Sequence, residues 1–324
     1  MKNFVIKANE EGQTIYKFVK RQLEGAPLSF IEKLFRIKDV KVNKKRVDKT
    51  YLLSSGDLVE IYINDQQIND FSIGNNQGKY KLSIKPDIVY EDENILIVNK
   101  PAGILVHGDK NEKRITLTNI VLSYLSNKGE YDFQNKGFTP SLAHRIDRNT
   151  SGLVVFGKNI KALQALENIF KEHNKIHKFY YALVKGITPS NGIINKPLYK
   201  DEKNSMVKVS SLENGAKSAI TRYTLIEKYG YCCLIEAEIL TGRTHQIRAH
   251  FASINHPLLG DEKYGDFDLN KKFFKEYNYR GQFLHAHKIQ FDLIDGYLSY
   301  LSKMEFECPF NQKEQDILKK LKTY

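Results

Sequence analysis

The sequence predicts an α+β fold, in which a large domain with a mixed, mainly antiparallel sheet flanked by helices and loops follows a small α+β module. Three observations predict it. Beyond residue 85, strand-like and helical segments alternate without the helix after every strand that a parallel fold requires. Residues 12–63 show both patterns on a shorter scale, and residues 64–79 are rich in Asn, Gln and Gly with few apolar side chains. We therefore place a module at 1–63, a linker at 64–84 and the large domain at 85–324.

The module carries an excess of basic residues. Helical periodicity at 14–23 and 29–35 is followed by strand-like segments at 40–42 and 58–63, with a turn at Asn43-Lys44. Between positions 36 and 49, seven residues are basic and two are acidic. On a compact unit this density favours contact with RNA phosphates over an ordinary solvated hairpin, which stays as the alternative. The residues predicted to bind RNA are Arg36, Lys38, Lys41, Lys44, Lys45 and Arg46.

In the large domain, β-branched and aromatic residues bounded by Gly, Pro or Asn predict the strands. These segments are 88–90, 95–99, 153–156, 180–184, 221–226 and 232–239. Residues 160–170 place apolar side chains on one face at helical spacing and therefore predict an amphipathic helix.

The composition points to a polyanionic partner. Fifty Lys and Arg residues against 38 Asp and Glu give a net charge of +12, so nucleic acid is favoured and an anionic membrane surface comes second. The basic C-terminal segment 313–324 is too short for more than a marginal membrane anchor. Apolar runs are only strand-length and no signal peptide is evident, so we expect a cytoplasmic protein.

The sequence implies no cofactor and no metal. Three cysteines, two of them adjacent, form neither a disulfide framework nor a Cys-x-x-Cys zinc pair. There is also no Gly-x-Gly-x-x-Gly segment and no Gly-Lys-Ser/Thr loop, so neither a dinucleotide nor a nucleoside triphosphate is expected.

Residues 144–152, His-Arg-Ile-Asp-Arg-Asn-Thr-Ser-Gly, form the most informative segment. Asp147 stands between Arg145 and Arg148, and nearby positive charge favours the ionised carboxylate that a nucleophile or general base needs. The polar residues that follow predict a loop just before a buried strand. Alone, the spacing is more typical of a surface salt-bridge cluster, so other segments must support a catalytic interpretation.

Residues 240–251, Leu-Thr-Gly-Arg-Thr-His-Gln-Ile-Arg-Ala-His-Phe, form the second such segment. Gly242 offers a turn after a strand, and Ile247, Phe251 and Ile254 define the buried stripe of a helix. Arg243, Thr244 and Arg248 then lie near a strand-to-helix junction, where one arginine could pair with Asp147 while the other binds phosphate. His245 and His250 are five residues apart and do not share a helical face, which argues against a metal site.

Two further segments contribute to the predicted site. Tyr180 lies in a predicted strand, where it could stack on a base or move a proton, although a plain core tyrosine is the commoner case. Residues 99–108 follow a strand with a Pro/Gly turn and are predicted to shape the wall of the site.

Together these segments resemble the RluA-type pseudouridine synthases over residues 85–308. Residues 144–152 are similar to the family's His-Arg-Leu-Asp-x-x-Thr-Ser-Gly signature, with Ile146 and Asn149 replacing the commoner Leu and Asp. Residues 241–250 resemble its Thr-Gly-Arg-Thr-His-Gln-Ile-Arg-x-His segment. Residues 12–63 resemble the RNA-binding module first named from small-subunit ribosomal protein S-four. The domain order, with His107-Gly108 closing the first motif of the large domain, is most similar to the branch that acts on large-subunit ribosomal RNA.

The resemblance implies the roles of the site residues. Asp147 matches the catalytic aspartate, Tyr180 the active-site tyrosine, Arg248 the arginine that pairs with the aspartate, and Arg145 the arginine that fills the gap left by an extruded uridine. The wider substrate-binding set is Arg145, His144, Thr150, Arg243, Thr244 and His107.

The expected reaction converts uridine to pseudouridine in 23S ribosomal RNA or its large-subunit precursor. Asp147 would either add to the ribose or deprotonate it to release a glycal. The expected protein is a monomer whose partner is RNA.

Two other function classes are compatible with the sequence. A catalytically silent RNA-binding or assembly factor would keep the basic module without needing Asp147, Tyr180 and Arg248 together. A metal-dependent hydrolase would use His144, Asp147, His245 and His250.

Overall fold

The computed structural model describes residues 1–23, 25–63, 82, 84–108, 114–133, 137–172, 174–201 and 206–322. The predicted linker therefore lies almost wholly outside the described residues. In the described residues, no helix is both long enough and apolar enough to cross a membrane.

The N-terminal module is a four-stranded antiparallel sheet with two helices packed on it. Its elements are β1 (Lys2–Val5), α1 (Ile15–Gln22), α2 (Leu28–Arg36), β2 (Val40–Val42), β3 (Lys45–Arg46) and β4 (Leu58–Ile61). The strands follow the order β1-β4-β2-β3. Thr14 caps α1 by accepting the amide of Lys17. Asn43 and Lys44 both have positive φ, as a tight turn between β2 and β3 requires.

The large domain is built on one extended mixed sheet. Its elements are β5 (Asp87–Glu91), β6 (Ile95–Lys100), α3 (Leu117–Asn127), β7 (Ser141–Leu142), β8 (Ser151–Gly157), α4 (Ile160–Lys171), β9 (Ile176–Lys185), β10 (Asn191–Asn195), β11 (Leu198–Asp201), β12 (Met206–Val209), β13 (Ile220–Tyr229), β14 (Cys232–Ile239), α5 (Gln246–Ala252), α6 (Phe267–Tyr277), β15 (Leu284–Phe291), β16 (Glu305–Glu307) and α7 (Gln312–Leu321). The sheet has the strand order β10-β13-β14-β9-β15-β8-β6-β5. The strand β7 pairs with β8, the strand β16 pairs with β15, and β11 and β12 form a separate hairpin.

The fold class predicted from the sequence is confirmed. Each strand and helix predicted in the large domain lies within or overlaps an observed one, namely β5, β6, β8, β9, β13, β14 and α4. Among the described strands, β8 and β15 form the one parallel pair, and the other pairs are antiparallel. The strand β8 is buried along its whole length, which agrees with its position between β6 and β15.

Several elements were not predicted, for identifiable reasons. The strand β15 carries buried His285 and His287, whose polarity hides the apolar alternation of a strand. The helix α3 is buried on several sides, so it lacks the single apolar face that periodicity detects. The edge strand β10 and the hairpin β11–β12 are short and largely exposed.

Gly152 allows the backbones of β8 and β15 to approach closely enough to pair. It has φ of 112°, and a Cβ at this position would lie 2.2 Å from the carbonyl oxygen of Ala286, its register partner in β15. A side chain at position 152 is unfavourable for two reasons: the positive φ strains any residue other than glycine, and a Cβ would clash with the neighbouring strand. The strand that follows Asp147 is therefore fixed against β15 at its first residues.

Replacing Gly152 with Ala should lower the free energy of unfolding by about 3 kcal/mol or more, because positive-φ strain adds to the backbone clash. Gly215→Ala is the matched control, since Gly215 has φ of 77° and a Cβ there would meet no described atom within 4 Å. The control should cost only about 1 kcal/mol. Equal losses of stability in urea denaturation would show that close strand contact at Gly152 is unimportant.

Candidate active site

Asp147 lies in a tight loop that ends at the start of β8. The Thr150 amide donates to the Asp147 carbonyl oxygen at 3.1 Å. The Thr150 side chain is buried, and its hydroxyl accepts a hydrogen bond from Gln282 at 3.1 Å. The loop is thus closed by its own backbone and by a partner from the segment before β15. The Asp147 side chain stays 26% exposed, which leaves its carboxylate accessible.

A second loop packs against the first through Lys100, the last residue of β6. Its ammonium donates to the carbonyl oxygens of Pro101, Ile104 and Arg148, each at 2.9 Å. The amide of Gly103 donates to the same Arg148 oxygen, also at 2.9 Å. Burial lowers the pKa of Lys100 to about 7, and the charge of Asp147 opposes this fall. Three carbonyl acceptors are matched to the three donors of the charged amine, so this geometry stabilises the ammonium form.

Arg248, on α5, joins two carboxylates. Its Nη1 donates to Asp147 Oδ2 at 2.8 Å. Its Nε and Nη2 donate to the two oxygens of Asp261 at 2.7 and 2.8 Å. Burial disfavours the guanidinium charge, but the hydrogen bonds and charge of Asp261, with those of Asp147, outweigh it and raise the pKa of Arg248 above its ordinary value. Asp147 therefore pairs with an arginine 101 positions away and not with the adjacent Arg145.

Asp261 is held as firmly as the arginine that it binds. It is 1% exposed, and its Oδ1 also accepts the amides of Lys263 and Tyr264 at 2.9 and 3.1 Å. A carboxylate with both oxygens occupied by backbone and guanidinium donors has one orientation. Asp261 thereby fixes the plane of the Arg248 guanidinium and points the remaining Nη1 at Asp147.

His245 is the second group beside Asp147. Its Nε2 lies 3.8 Å from Asp147 Oδ2, and its Nδ1 lies 2.9 Å from Tyr264 Oη. The Val207 amide donates to Tyr264 Oη at 2.8 Å, which leaves the hydroxyl proton available to His245 Nδ1. When the phenol donates to Nδ1, the imidazole proton lies on Nε2, on the side of Asp147. Burial lowers the pKa of His245 and the charge of Asp147 opposes that effect, which favours the neutral ring.

The turn into α5 differs from the one expected at Gly242. The left-handed residue is His245, with φ of 51°, at the N-cap of the helix. Gln246 holds this turn, because its side-chain oxygen accepts from the Thr241 hydroxyl and the Arg243 amide. The helix ends at Ala252, before the Ile254 of the predicted stripe. A non-glycine residue in this conformation needs such support from its surroundings.

His250 does not lie beside Asp147 with His245, because its ring makes other contacts. Its Nδ1 lies 2.9 Å from the Thr221 hydroxyl, and its Nε2 lies 3.0 Å from the Lys196 carbonyl oxygen. Both ring nitrogens are thus engaged inside the protein. Within the part of the chain that is described, no group of three or more His, Cys, Asp or Glu residues is arranged to hold a metal ion.

Tyr180 lies in β9 within a buried cluster that includes Ile247, and Ile146 of the aspartate loop packs against that cluster. Burial and the charge of Asp147 both raise the pKa of Tyr180 above its ordinary value. The phenol therefore keeps its proton at neutral pH, and the ring is neutral.

The predicted substrate-binding residues fall into two groups. Arg145, Thr244 and His107 are exposed, and Arg145 forms no ion pair with any described residue. Arg243 is partly exposed and its Nε donates to the Ser218 carbonyl oxygen at 2.9 Å. These four can meet a ligand from solvent, whereas Thr150 is buried within the loop.

His144 is partly buried and forms contacts within the protein. Its ring stacks on Phe170 at 4.5 Å between centroids, and its Nε2 accepts the Val155 amide at 3.2 Å. Burial, with the charge of Lys178, lowers the pKa of His144 to about 3, so the ring is neutral. These contacts suit a residue that anchors the aspartate loop to β8 more than one that binds substrate.

Sequence patterns did not single out three residues of this site: Lys100, Asp261 and Tyr264. Lys100 lay inside the segment predicted to form the site wall, but one lysine beside a Pro/Gly turn gives no sign of its three carbonyl contacts. Asp261 follows an apolar Leu-Leu-Gly run, and burial of an acidic residue there could have suggested a buried cationic partner. Tyr264 carries no such signal.

Comparison with known proteins agrees with this geometry. A family model described as RNA pseudouridylate synthase matches residues 94–253. An RNA pseudouridine synthase of Mycoplasma capricolum, described as uncharacterized, is 37% identical over 307 residues, which is 93% of this chain and 95% of the relative. The ribosomal large subunit pseudouridine synthase C of Vibrio vulnificus is 34% identical over 316 residues, covering 96% of this chain and 94% of the relative.

A solved structure shares the fold. Human RNA pseudouridylate synthase domain containing 4 superposes with a TM-score of 0.58 at 22% identity, covering 72% of this chain and 92% of the human chain. The sequence relatives extend along nearly the whole protein, and the two signature segments meet where Arg248 binds Asp147. The chain belongs to the RluA-type family of RNA pseudouridine synthases, isomerases that act on uridine in RNA.

Proposed function

We propose that this enzyme forms pseudouridine at specific positions of large-subunit ribosomal RNA, the 23S RNA, and that Asp147 is the reacting carboxylate. The main support for this role of Asp147 is that its two carboxylate oxygens have different surroundings. Oδ2 is bound by Arg248, whereas Oδ1 forms no hydrogen bond with a described residue, and the side chain is 26% exposed. The choice of RNA is supported by the names of the Vibrio relatives, which assign them to the ribosomal large subunit.

The reaction is an isomerisation in which atoms are conserved. The bond between N1 of uracil and C1′ of ribose breaks, the base turns, and a bond forms between C5 and C1′. The C5 proton is lost and N1 gains one. Asp147 either attacks C1′ or removes the C2′ proton to give a glycal, and Arg248 holds it as an anion aimed at the sugar in both routes.

A uridine must leave the RNA stack before its sugar can reach Asp147, at a cost of a few kcal/mol. Arg145 is exposed two positions before Asp147 and can occupy the space that the base vacates. Tyr180 offers the extruded base a neutral aromatic ring for stacking. Arg243, beside the exposed Thr244 and close to the start of α5, is suited to contact phosphate.

The basic edge of the N-terminal module, formed by Arg36, Lys38, Lys41, Lys44, Lys45 and Arg46, supplies affinity for RNA that does not depend on the RNA sequence. Most of its predicted RNA-binding side chains are exposed, and Lys41 is partly covered by its contact with the ring of Tyr62. Phosphate contacts of this kind give binding that weakens as salt concentration rises. Because ribosomal RNA is the proposed substrate, we expect the enzyme to act in the cytoplasm. We also expect it to act as a monomer.

Asp147→Ala and Asp147→Asn should both abolish pseudouridine formation, since neither side chain can attack or deprotonate the sugar. The measurement is pseudouridine mapping after incubation with unmodified large-subunit RNA. Both variants should still bind RNA, because the contacts to phosphate are spread over many residues. Product that persists in both variants would remove Asp147 from its proposed role.

Arg145→Ala should slow turnover while changing RNA affinity only modestly, because the side chain acts on the extruded state and not on general phosphate binding. Deletion of residues 1–63 is the comparison for affinity. Binding and single-turnover rates measured on the same RNA separate the two effects. If Arg145→Ala lost as much affinity as the deletion, this division of roles would be wrong.

Asp261→Asn should lower kcat by about 10- to 100-fold with little change in RNA binding, because a tilted Arg248 misdirects Asp147. The amide would place an NH₂ group against a guanidinium donor in a buried site. Glu262→Gln is the control, since Glu262 is adjacent, acidic and exposed. Equal activity of the two variants would show that Asp261 does not position Arg248.

A further inference from the structure

The N-terminal module rests on the large domain through a small polar junction. The module contributes Glu10, Gln13 and Arg21, and the large domain contributes Gly137 and Phe138. The Gly137 carbonyl oxygen accepts one hydrogen bond from Gln13 Nε2 at 3.2 Å and another from Arg21 Nη1 at 3.0 Å. The Arg21 guanidinium carbon lies 5.9 Å from the centre of the Phe138 ring. Two donors, one from the segment before α1 and one from α1, therefore converge on one backbone acceptor.

Gly137 allows an unusually close approach of the two parts. A Cβ at this position would lie 1.6 Å from Oε1 of Glu10. Glu10 is 2% exposed, and its other carboxylate oxygen accepts the Lys7 amide at 2.8 Å. The buried Glu10 carboxylate therefore packs directly against the backbone of Gly137, a contact that any residue with a side chain at position 137 would obstruct.

A second contact lies on α4. Lys161 Nζ is 3.1 Å from Glu11 Oε2, and the Lys161 stem passes below Gly12. An exposed ion pair adds little energy. The Lys161–Glu11 ion pair matters for geometry, because a second point of contact beside the Gly137 junction opposes rotation of the module about that junction.

We propose that this junction fixes the basic edge of the module relative to Asp147, so that the enzyme selects a uridine by its distance from an RNA segment bound on that edge. The selected substrate is a folded RNA that offers phosphates to the module and an extrudable uridine to the site at one set spacing. A freely tethered module would only raise the local concentration of RNA and would accept many spacings. The part concerning RNA rests on the proposed function, whereas the docking does not.

Distance measurement by double electron–electron resonance tests the docking. Spin labels at Ser29→Cys and Glu213→Cys sit on exposed positions of the module and the large domain. The native cysteines, Cys232, Cys233 and Cys308, are all buried and should escape labelling. The wild-type background should give one narrow distance distribution. A distribution as broad as that of a tethered domain would overturn the proposal.

Arg21→Ala and Lys20→Ala form a matched pair of variants for two measurements, the distance distribution and KM. They remove one positive charge from neighbouring positions of α1, but only Arg21 contacts Gly137. Arg21→Ala should broaden the distances and raise KM for a long ribosomal RNA fragment about 5- to 10-fold at unchanged kcat. Lys20→Ala should keep the narrow distribution and change KM less than about 2-fold.

The outcomes separate the two halves of the inference. Identical distances and KM values in the two variants would overturn it. Broadened distances with unchanged KM would overturn the selection of RNA by spacing. Absence of product from the wild-type protein on every RNA would overturn the proposed function, while the distance measurement would still decide the docking.

Discussion

The candidate active site depends on one buried arginine shared by two carboxylates. Arg248 is 5% exposed, and a charge removed from water to that extent costs several kcal/mol unless its donors are satisfied. Asp261, which is 1% exposed, supplies two of the acceptors and Asp147 supplies the third. The two acids differ in their freedom: Asp261 is also bound by backbone amides, whereas Asp147 keeps an oxygen without a described hydrogen bond. Arg248 thus binds two carboxylates at once, that of Asp261, which is held in one orientation, and that of Asp147, which has an oxygen left to meet a ligand.

The sheet brings these residues together from distant parts of the chain. The Asp147 loop leads into β8, the Lys100 loop leaves β6 beside it, and Tyr180 projects from β9. The loop between β14 and α5 then adds His245 and Arg248. Gly152 lets β8 approach β15 closely, and hydrogen bonds from Lys100 to Arg148 join the two loops. Because each residue of the candidate site is supported by regular structure, the arrangement is largely formed before RNA binds.

The sequence predicted the fold class and the strands with clear apolar patterns, but β15 was missed because buried histidines interrupt its pattern. It also predicted Asp147 and an arginine partner from α5, since both segments are ordered and chemically distinctive. Asp261 could not be assigned, because its role follows from the orientation of Arg248, which only the packed structure shows. The substrate-binding role predicted for His144 stays a prediction, and the contact that the sequence pattern does not reveal is its stacking on Phe170.

If Asp261 acts on Asp147 only through Arg248, a double-mutant cycle shows it directly. Single-turnover pseudouridine formation would be compared for wild type, Asp261→Asn, Arg248→Lys and the double variant. A lysine cannot make the paired contacts of the guanidinium, so Asp261→Asn should cost less than about 3-fold in the Arg248→Lys background, against about 10- to 100-fold in wild type. The same loss in both backgrounds would contradict the account.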